Sequence, residues 1–197
     1  MLRVFPAMVG LLLAVGGCTT ERETSPTRTA TEQLLISAAA DRAAQSLALQ
    51  IPHGAKVFVD DAYFEGTDSK YAIGALRERL LTQGAHLVAD RPNADVVVEL
   101  RSGALSIDED ETLIGIPQID LPIPLAGTLG LPEVALFKRD ERKGVAKFAA
   151  SAYDAKDGKL TDTSEPEYGF SEETKWVFLL FFSWTTSDVV PEEAVAE

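Results

Sequence analysis

From Thr29 onward, the pattern of apolar and polar positions divides the chain into helices and strands. Thr29 and Glu32 have the spacing of a capping box, in which each side chain bonds the backbone N–H of the other residue. Apolar residues then recur at helical spacing, at Ile36, Ala40, Ala43 and Leu47. The pattern predicts a first helix that begins after Thr29 and is ended by Pro52 and Gly54.

A strand and a second helix are expected next. Lys56–Asp60 is a short run of β-branched and aromatic residues, which is typical of a buried strand. Asp68 or Ser69 is expected to cap the second helix. Its apolar residues are Tyr71, Ile73, Leu76 and Leu80. Gly84 stands where a glycine commonly ends a helix.

Two further strands are predicted, at Ala85–Val88 and Ala94–Leu105. The second contains the continuous apolar run Val96–Val98, which indicates a position covered on both faces of a sheet. Helices and strands therefore alternate in the first half of the chain, which favours an α/β pattern over an all-β one.

The segment Leu113–Leu131 is apolar along its length, yet its prolines and glycines prevent an uninterrupted helix. It follows the acidic run Asp108–Glu111, which we expect to be a solvated turn. The sequence predicts a long apolar loop here, and such loops are commonly functional or form an interface. The residues assigned to this candidate interface are Leu113, Ile114, Ile116, Ile119, Leu121, Ile123, Leu125 and Leu129.

The last third of the chain predicts three strands. Glu133–Lys138 and Val145–Tyr153 are expected to pair as a hairpin across the charged turn Arg139–Gly144. Asp157-Gly158 forms the next turn. Trp176–Trp184 is nearly continuous in apolar residues, so we expect a strand that is buried on both faces or covered by a partner.

Two interpretations of these apolar segments remain open. In one, the loop at Leu113–Leu131 and the strand at Trp176–Trp184 pack on each other in the core. In the other, the loop is exposed and contacts a membrane, a second copy of the chain or a partner protein. In either case the elements predict a single domain over residues 29–188, of α/β (α+β) class, with two packed helices and a mixed sheet of about five to six strands.

The N-terminus resembles a bacterial lipoprotein signal. Arg3 precedes an apolar run from Val4 to Val15, which small residues and the chain's one cysteine follow. About a dozen apolar residues are too few for a spanning helix, which needs roughly 20. The resemblance implies a signal peptide over residues 1–17, cleavage between Gly17 and Cys18, and diacylglycerol on the Cys18 sulfur. Acyl chains on Cys18 would then attach the protein to a membrane.

Residues 18–28 are expected to form a flexible tether, because they include no large apolar residue. The residue after the cysteine is Thr19. An aspartate at this position would resemble an inner-membrane retention signal. The resemblance therefore implies a protein of the cell envelope, held at the outer membrane and facing the periplasm. Residues 189–197 are expected to form a loose acidic tail.

Charge and cysteine content limit the classes of function. The formal net charge of −13 disfavours binding to nucleic acid, because an acidic surface repels phosphates. With its one cysteine acylated, the folded part would hold neither a disulfide nor a thiolate site.

Few residues are suited to catalysis. His53 and His86 lie apart in a turn and a strand, and no nucleophile elbow, phosphate loop or dinucleotide fingerprint is present. Asp60, Asp61 and the run Asp108–Glu111 would form an acid–base pair or a Ca²⁺ site only if the fold joined them. The sequence thus predicts no catalytic residue, no metal and no cofactor.

Two family resemblances follow from short motifs. Thr27–Leu35 resembles the opening of a family of uncharacterised bacterial lipoproteins, defined as a domain of unknown function, and the likeness continues to near Trp184. That family implies no activity. Ala94–Val98 and Ala149–Gly158 resemble, more loosely, the periplasmic α/β domain of the curli secretion channel lipoprotein.

The leading hypothesis is a lipid-anchored envelope protein that acts as a non-enzymatic binding or assembly module, through self-association or an envelope protein partner. The alternatives are a binding protein for a small envelope ligand and a hydrolase that uses carboxylates. A closed apolar pocket would favour the first alternative, and a cleft lined by carboxylates the second.

Overall fold

The computed structural model describes residues 27–123 and 127–189. The expected signal peptide, Cys18 and residues 18–26 of the tether lie outside the described residues, as do Leu125 and the tail from residue 190 onward.

The first helix, α1, spans Ala30–Ser46, and its capping box is confirmed. Thr29 Oγ1 accepts from the Glu32 N–H at 3.2 Å, and Glu32 Oε2 accepts from the Thr29 N–H at 2.8 Å. The helix ends before Pro52, because Leu47 is extended and its carbonyl accepts hydrogen bonds from side chains instead. These donors belong to the second helix, at Arg79 and Gln83.

The second helix, α2, spans Ser69–Thr82, and Gly84 follows it in the left-handed conformation at φ 93°, as predicted. Asp68 does not cap the helix with its side chain; its carboxylate pairs with Arg28 at 2.6 Å. Tyr71 was expected on the buried face but is exposed, because its hydroxyl donates to the Asp41 carboxylate at 2.9 Å.

The strands lie in a seven-stranded mixed sheet and a two-stranded hairpin. The seven-stranded sheet has the order β2-β1-β3-β6-β8-β9, with β7 paired to β6. Strand β1 is parallel to β2 and β3, and the other pairs are antiparallel. The strands are β1 Lys56–Tyr63, β2 His86–Leu87, β3 Val96–Ile116, β4 Ile119–Ile123, β5 Gly127–Leu131, β6 Val134–Asp154, β7 Leu160–Thr163, β8 Glu167–Phe178 and β9 Phe182–Ser187.

Strands β3 and β6 are each 21 residues long, and they correct two predictions. The acidic run Asp108–Glu111 is not a turn but part of β3. The charged segment Arg139–Gly144 is not a turn either. It lies in the middle of β6, which joins Glu133–Lys138, apart from Glu133 itself, to Val145–Tyr153. Part of this charge is balanced within the sheet, because Asp108 lies opposite Lys143, Glu109 lies opposite Arg142, and Lys138 pairs with Glu111.

The two apolar segments also differ from expectation. Leu113–Leu131 is not a loop: it completes β3 and then forms the β4–β5 hairpin. Trp176–Trp184 is not one buried strand, because the chain reverses after Phe178 and pairs back as β9. Neither segment is packed into the core, and most of their large side chains are exposed.

The core lies between the helices and one face of the sheet. Its residues include Leu47 and Leu76 from the helical layer and Leu100 and Phe148 from the sheet. Helix α1 lies close to the sheet because two glycines face it: Gly144 faces Leu35 and Gly169 faces Ala39. The Ser171 hydroxyl adds a buried hydrogen bond to the Leu35 carbonyl at 2.7 Å.

The predicted fold class is confirmed: the described chain is a single α+β domain with two helices and a curled mixed sheet. Among the described residues, no helix has both the length and the apolar content needed to cross a membrane.

Candidate functional site

The candidate site is the end of the sheet at which β3 and β8 finish and β6 begins. We call residues 113–123, 127–137 and 176–184 the apolar end, since Asp120 and Glu133 are their only charged members. Cross-strand register places these segments together: Ile114 lies opposite Phe137, and Phe137 lies opposite Phe178. The β4–β5 hairpin connects β3 to β6 at this same end.

Exposure of apolar side chains is concentrated in the apolar end. Of the twenty large apolar side chains that are exposed in the described part of the chain, thirteen belong to it. Phe181 is 85% exposed, Phe182 is 63% exposed and Ile114 is 59% exposed. Single exposed apolar residues are ordinary on protein surfaces, whereas a contiguous exposed group of this size is uncommon and makes this end the candidate site.

The β8–β9 hairpin has one aromatic face. Phe178 lies opposite Phe182, and Trp176 lies opposite Trp184, with the two indole rings stacked at 6.0 Å. Because side chains alternate along a strand, Val177 and Ser183 lie on the other face. One side of the hairpin therefore carries four large aromatic rings.

The turn of this hairpin has an unusual backbone. Leu179 and Leu180 have φ values of 49° and 68°, in the left-handed region that normally takes glycine or asparagine. Each left-handed leucine costs about 1–2 kcal/mol. The following residue, Phe181, is the most exposed large apolar side chain described. The turn thus keeps three apolar residues at a position where polar turn residues would be less strained.

The β4–β5 hairpin presents a second apolar face. Ile119 lies opposite Leu131, and Leu121 lies opposite Leu129, so the four side chains share one side of the hairpin. All four are exposed. Asp120 lies opposite Gly130, on the other side.

Behind the apolar end is a group of charged residues, 108–111, 138–143 and 172–175, which we call the charged belt. Arg142 Nε lies 3.1 Å from a Glu109 carboxylate oxygen, and Lys138 Nζ lies 3.2 Å from a Glu111 oxygen. The buried Glu141 carboxylate lies between Arg139 and Lys143. Cations and carboxylates are therefore paired both along β6 and between β6 and β3.

These pairs determine the ionisation of the charged belt. The hydrogen bond from Lys143, together with the charge of Arg139, lowers the pKa of Glu141. The hydrogen bond from Lys138 to Glu133, with a second to Glu111, raises the pKa of Lys138. Both shifts favour the charged forms, so these side chains stay paired as ions at neutral pH. Among these pairs, the one between Lys138 and Glu111 also links β6 to β3.

The other residues singled out in the sequence do not meet. Asp60 pairs with Glu99 on β3, nine positions before Asp108, which separates the two acidic groups by roughly 30 Å. His53 and His86 are both exposed, one in a turn and one on β2. Within residues 27–123 and 127–189, no group of three or more His, Cys, Asp or Glu side chains is arranged to hold a metal ion.

A groove of about 430 Å³ lies between α1 and α2. It is lined by Asp41, Ala44, Gln45, Tyr71, Ala75, Glu78, Arg79 and Thr82. This lining mixes charged and small side chains, in contrast to the mostly apolar lining of typical small-molecule pockets.

Sequence reasoning identified part of the apolar end and missed the rest. Ile114, Ile116, Ile119, Leu121 and Leu129 from the candidate interface are exposed, whereas Leu113 is only half-buried. The sequence predicts Phe178 and Leu179–Phe182 within one strand that is buried on both faces or covered by a partner, whereas they form the end of β8, the turn and the start of β9. No turn residue marks the reversal at Leu179 and Leu180, so the sequence carries no signal that separates this hairpin from one continuous strand.

A model of a family of unknown function (DUF6655) matches residues 12–165. The matched range includes Cys18 and the β4–β5 hairpin, and it ends short of Trp184, so the expected continuation of the likeness to that residue lies beyond the match. No curated protein matches the chain. Because the matched residues make up most of the sequence, the chain belongs to this family of unknown function, DUF6655.

Proposed function

We propose that the protein is a lipid-anchored protein of the cell envelope that works without catalysis, as a binding or assembly module. Cys18 is the site of the anchor, and the outer membrane, facing the periplasm, is the proposed location. The apolar end is the contact surface. The observation that carries this proposal is the concentration of exposed aromatic and aliphatic side chains on two hairpins at one end of the sheet.

The distribution of carboxylates supports a role other than hydrolysis. Asp108 and Glu109 lie opposite Lys143 and Arg142, and Glu111 pairs with Lys138. Asp110 lies opposite Glu141, whose carboxylate is paired with Arg139 and Lys143. Asp60 and Asp61 belong to a distant part of the sheet. An acid–base pair needs two carboxyl groups within reach of one substrate bond, and a separation of roughly 30 Å is too large for that.

Detergent binding and sedimentation test this proposal. The full mature chain with Cys18→Ser removes the anchor, so that any remaining association is due to protein surfaces. We expect it to bind detergent micelles, or to sediment as a species larger than a monomer when detergent is absent. Leu121→Asp places a charge on the exposed face of the β4–β5 hairpin and should reduce both.

A matched control comes from the helices. Leu81 on α2 is also exposed, so Leu81→Asp introduces the same charge far from the apolar end. It should leave detergent binding and sedimentation unchanged. A wild-type surface that stays monomeric and binds no detergent would overturn the proposed contact. Intact-mass analysis of membrane-recovered protein tests the anchor separately, since an unmodified Cys18 would remove it.

A further inference from the structure

We infer that the apolar end enters the interfacial layer of a zwitterionic lipid bilayer, the same bilayer that holds the acyl chains of Cys18. This inference rests on the proposed function, because it names what the contact surface contacts. The protein would then be attached at two points, one covalent and one through side chains, and the second would fix the orientation of the domain.

The first argument is the composition of the β8–β9 tip. From Trp176 to Trp184, the only polar side chain is Ser183. Phe181 and Phe182 are among the most exposed large apolar residues described. A protein partner commonly offers polar groups at the rim of a contact, whereas hydrocarbon has none to match. A tip that has no charged side chain therefore suits contact with lipid hydrocarbon better than contact with a protein.

The second argument is the order of residues along the hairpin. The stacked pair Trp176 and Trp184 lies two positions behind Phe178 and Phe182, which is about 7 Å. Lys175 and the charged belt begin at the next position. Interfacial segments bury their apolar face about 5–10 Å deep, and tryptophan prefers the boundary between lipid and water. The spacing of apolar, indole and charged layers matches that depth.

The third argument is charge. The cations nearest the tip are paired with carboxylates: Lys175 with Glu173, Lys138 with Glu133, and Arg139 with Glu141. The chain as a whole carries a formal charge of −13. Attraction to anionic headgroups is therefore weak at this surface, and apolar burial must supply the binding free energy. The lipid surface that this charge distribution favours is therefore zwitterionic rather than anionic.

The fourth argument is the position of the anchor. Leu35, near the start of α1, faces Gly144, and Ala39 faces Gly169, so α1 begins on the side of the apolar end. Gly144 is seven positions from Phe137, or roughly 23 Å. The eleven residue-to-residue steps from Cys18 to Thr29 reach at most about 36–40 Å. Acyl chains on Cys18 can therefore enter the same leaflet as the tip.

The strained turn supports the same conclusion. Leu179 and Leu180 occupy left-handed positions at an energetic cost, although Asn-Gly would fit the backbone better. Strain of this kind persists where the side chains are needed. Two leucines next to Phe181 add apolar volume at the outermost point of the hairpin.

The protein's two tryptophans are Trp176 and Trp184, so intrinsic fluorescence reports on this hairpin alone. The full mature chain with Cys18→Ser is mixed with vesicles of phosphatidylcholine. We expect tryptophan emission to move to shorter wavelength, quenching by phosphatidylcholine brominated on its acyl chains, and co-flotation with the vesicles. Equimolar phosphatidylglycerol should not strengthen binding. Stronger binding to those anionic vesicles would contradict the charge argument.

Two variants locate the contact. Phe181→Ser should lower the vesicle partition coefficient roughly tenfold, which is about 1.4 kcal/mol. Phe170→Ser is the matched control, because Phe170 is 57% exposed on the same strand but lies eight positions from Phe178, about 27 Å away. It should bind vesicles like the wild type. Equal losses in both variants would overturn the assignment.

A third variant separates folding from binding. Leu179→Asn with Leu180→Gly relieves the left-handed strain, so the thermal midpoint should rise by roughly 4 °C while vesicle binding falls. Three outcomes would refute lipid contact: wild-type vesicle binding by this variant, wild-type emission that vesicles do not change, or a blue shift that depends on protein concentration without lipid. The last result would identify a second copy of the chain as the occupant and would leave the proposed contact function intact.

Discussion

The substitution Gly169→Ala tests the packing of α1 against the sheet. An added Cβ at Gly169 would overlap the carbonyl oxygen of Ala39 and lie 2.6 Å from the backbone nitrogen of Ala43. Both obstacles are helix backbone, so the helix itself must move. Overpacking of this kind costs about 1–3 kcal/mol, and the clash with backbone on both sides places this site at the upper end.

Part of that cost is offset, since alanine is favoured over glycine within a strand by about 0.5–1 kcal/mol. The expected net loss is about 2 kcal/mol in the free energy of unfolding. For a domain of this size, the thermal midpoint should fall by about 4–8 °C. Urea unfolding followed by circular dichroism should show a lower midpoint with an unchanged slope.

Gly74→Ala provides the matched control. Gly74 lies within α2, is exposed, and an added Cβ there has no neighbour within 4 Å. The same chemical change should therefore stabilise the protein by about 0.8–1 kcal/mol, through helix propensity. If Gly169→Ala is as stable as the wild type, or if both variants shift in the same direction, close approach of α1 to β8 does not limit stability and the packing argument is wrong.

Three further outcomes are expected. Thr29→Ala removes the capping box and should cost about 1 kcal/mol in urea unfolding, with no change in the fold. Arg28 lowers the pKa of Asp68, so this pair stabilises the protein above about pH 4 and the contribution is lost as pH falls through the lowered folded-state value; Asp68→Asn should therefore lose less stability than wild type between pH 5 and pH 3. Phe148→Ala removes a fully buried ring 5.0 Å from that of Phe64 and should cost about 3–5 kcal/mol, which calorimetry would measure as a large fall in thermal midpoint.

The features that could be predicted from the sequence are those encoded by neighbouring residues. The capping box at Thr29 and the left-handed Gly84 depend on local hydrogen bonds and local backbone geometry, and both are as expected. The two helices and the mixed sheet follow from periodicity in the same way. These signals need no knowledge of what lies across the fold.

The long strands could not be predicted in the same manner. Arg139–Gly144 has the charge density and terminal glycine of a turn, and only the opposing strand reveals that some of these charges are paired across the sheet. Lys143 lies opposite Asp108, and Arg142 lies opposite Glu109, so the acidic and basic runs were complementary in sequence. Recognising that complementarity requires a register, which depends on contacts between distant segments.

The candidate site was predicted in composition but not in exposure. An apolar run such as Trp176–Trp184 has the same sequence pattern whether a second layer covers it or none does. The turn at Leu179 and Leu180 carries no glycine, asparagine or proline that would indicate a reversal. Exposure is decided by what packs above the sheet, which depends on where α1 begins and ends.

Strand pairing joins Thr112 of β3 to Arg139 of β6, and Arg139 to Trp176 of β8. This pairing gives the three strands a mechanical role. Three paired strands cannot bend at one residue without losing inter-strand hydrogen bonds on both sides, so this part of the sheet is stiff. A tilt imposed where β8 meets β9 is transmitted to the helical layer without being absorbed. The groove between α1 and α2 is thereby held at a fixed distance from any surface that the ends of these strands contact, and in a fixed orientation to it.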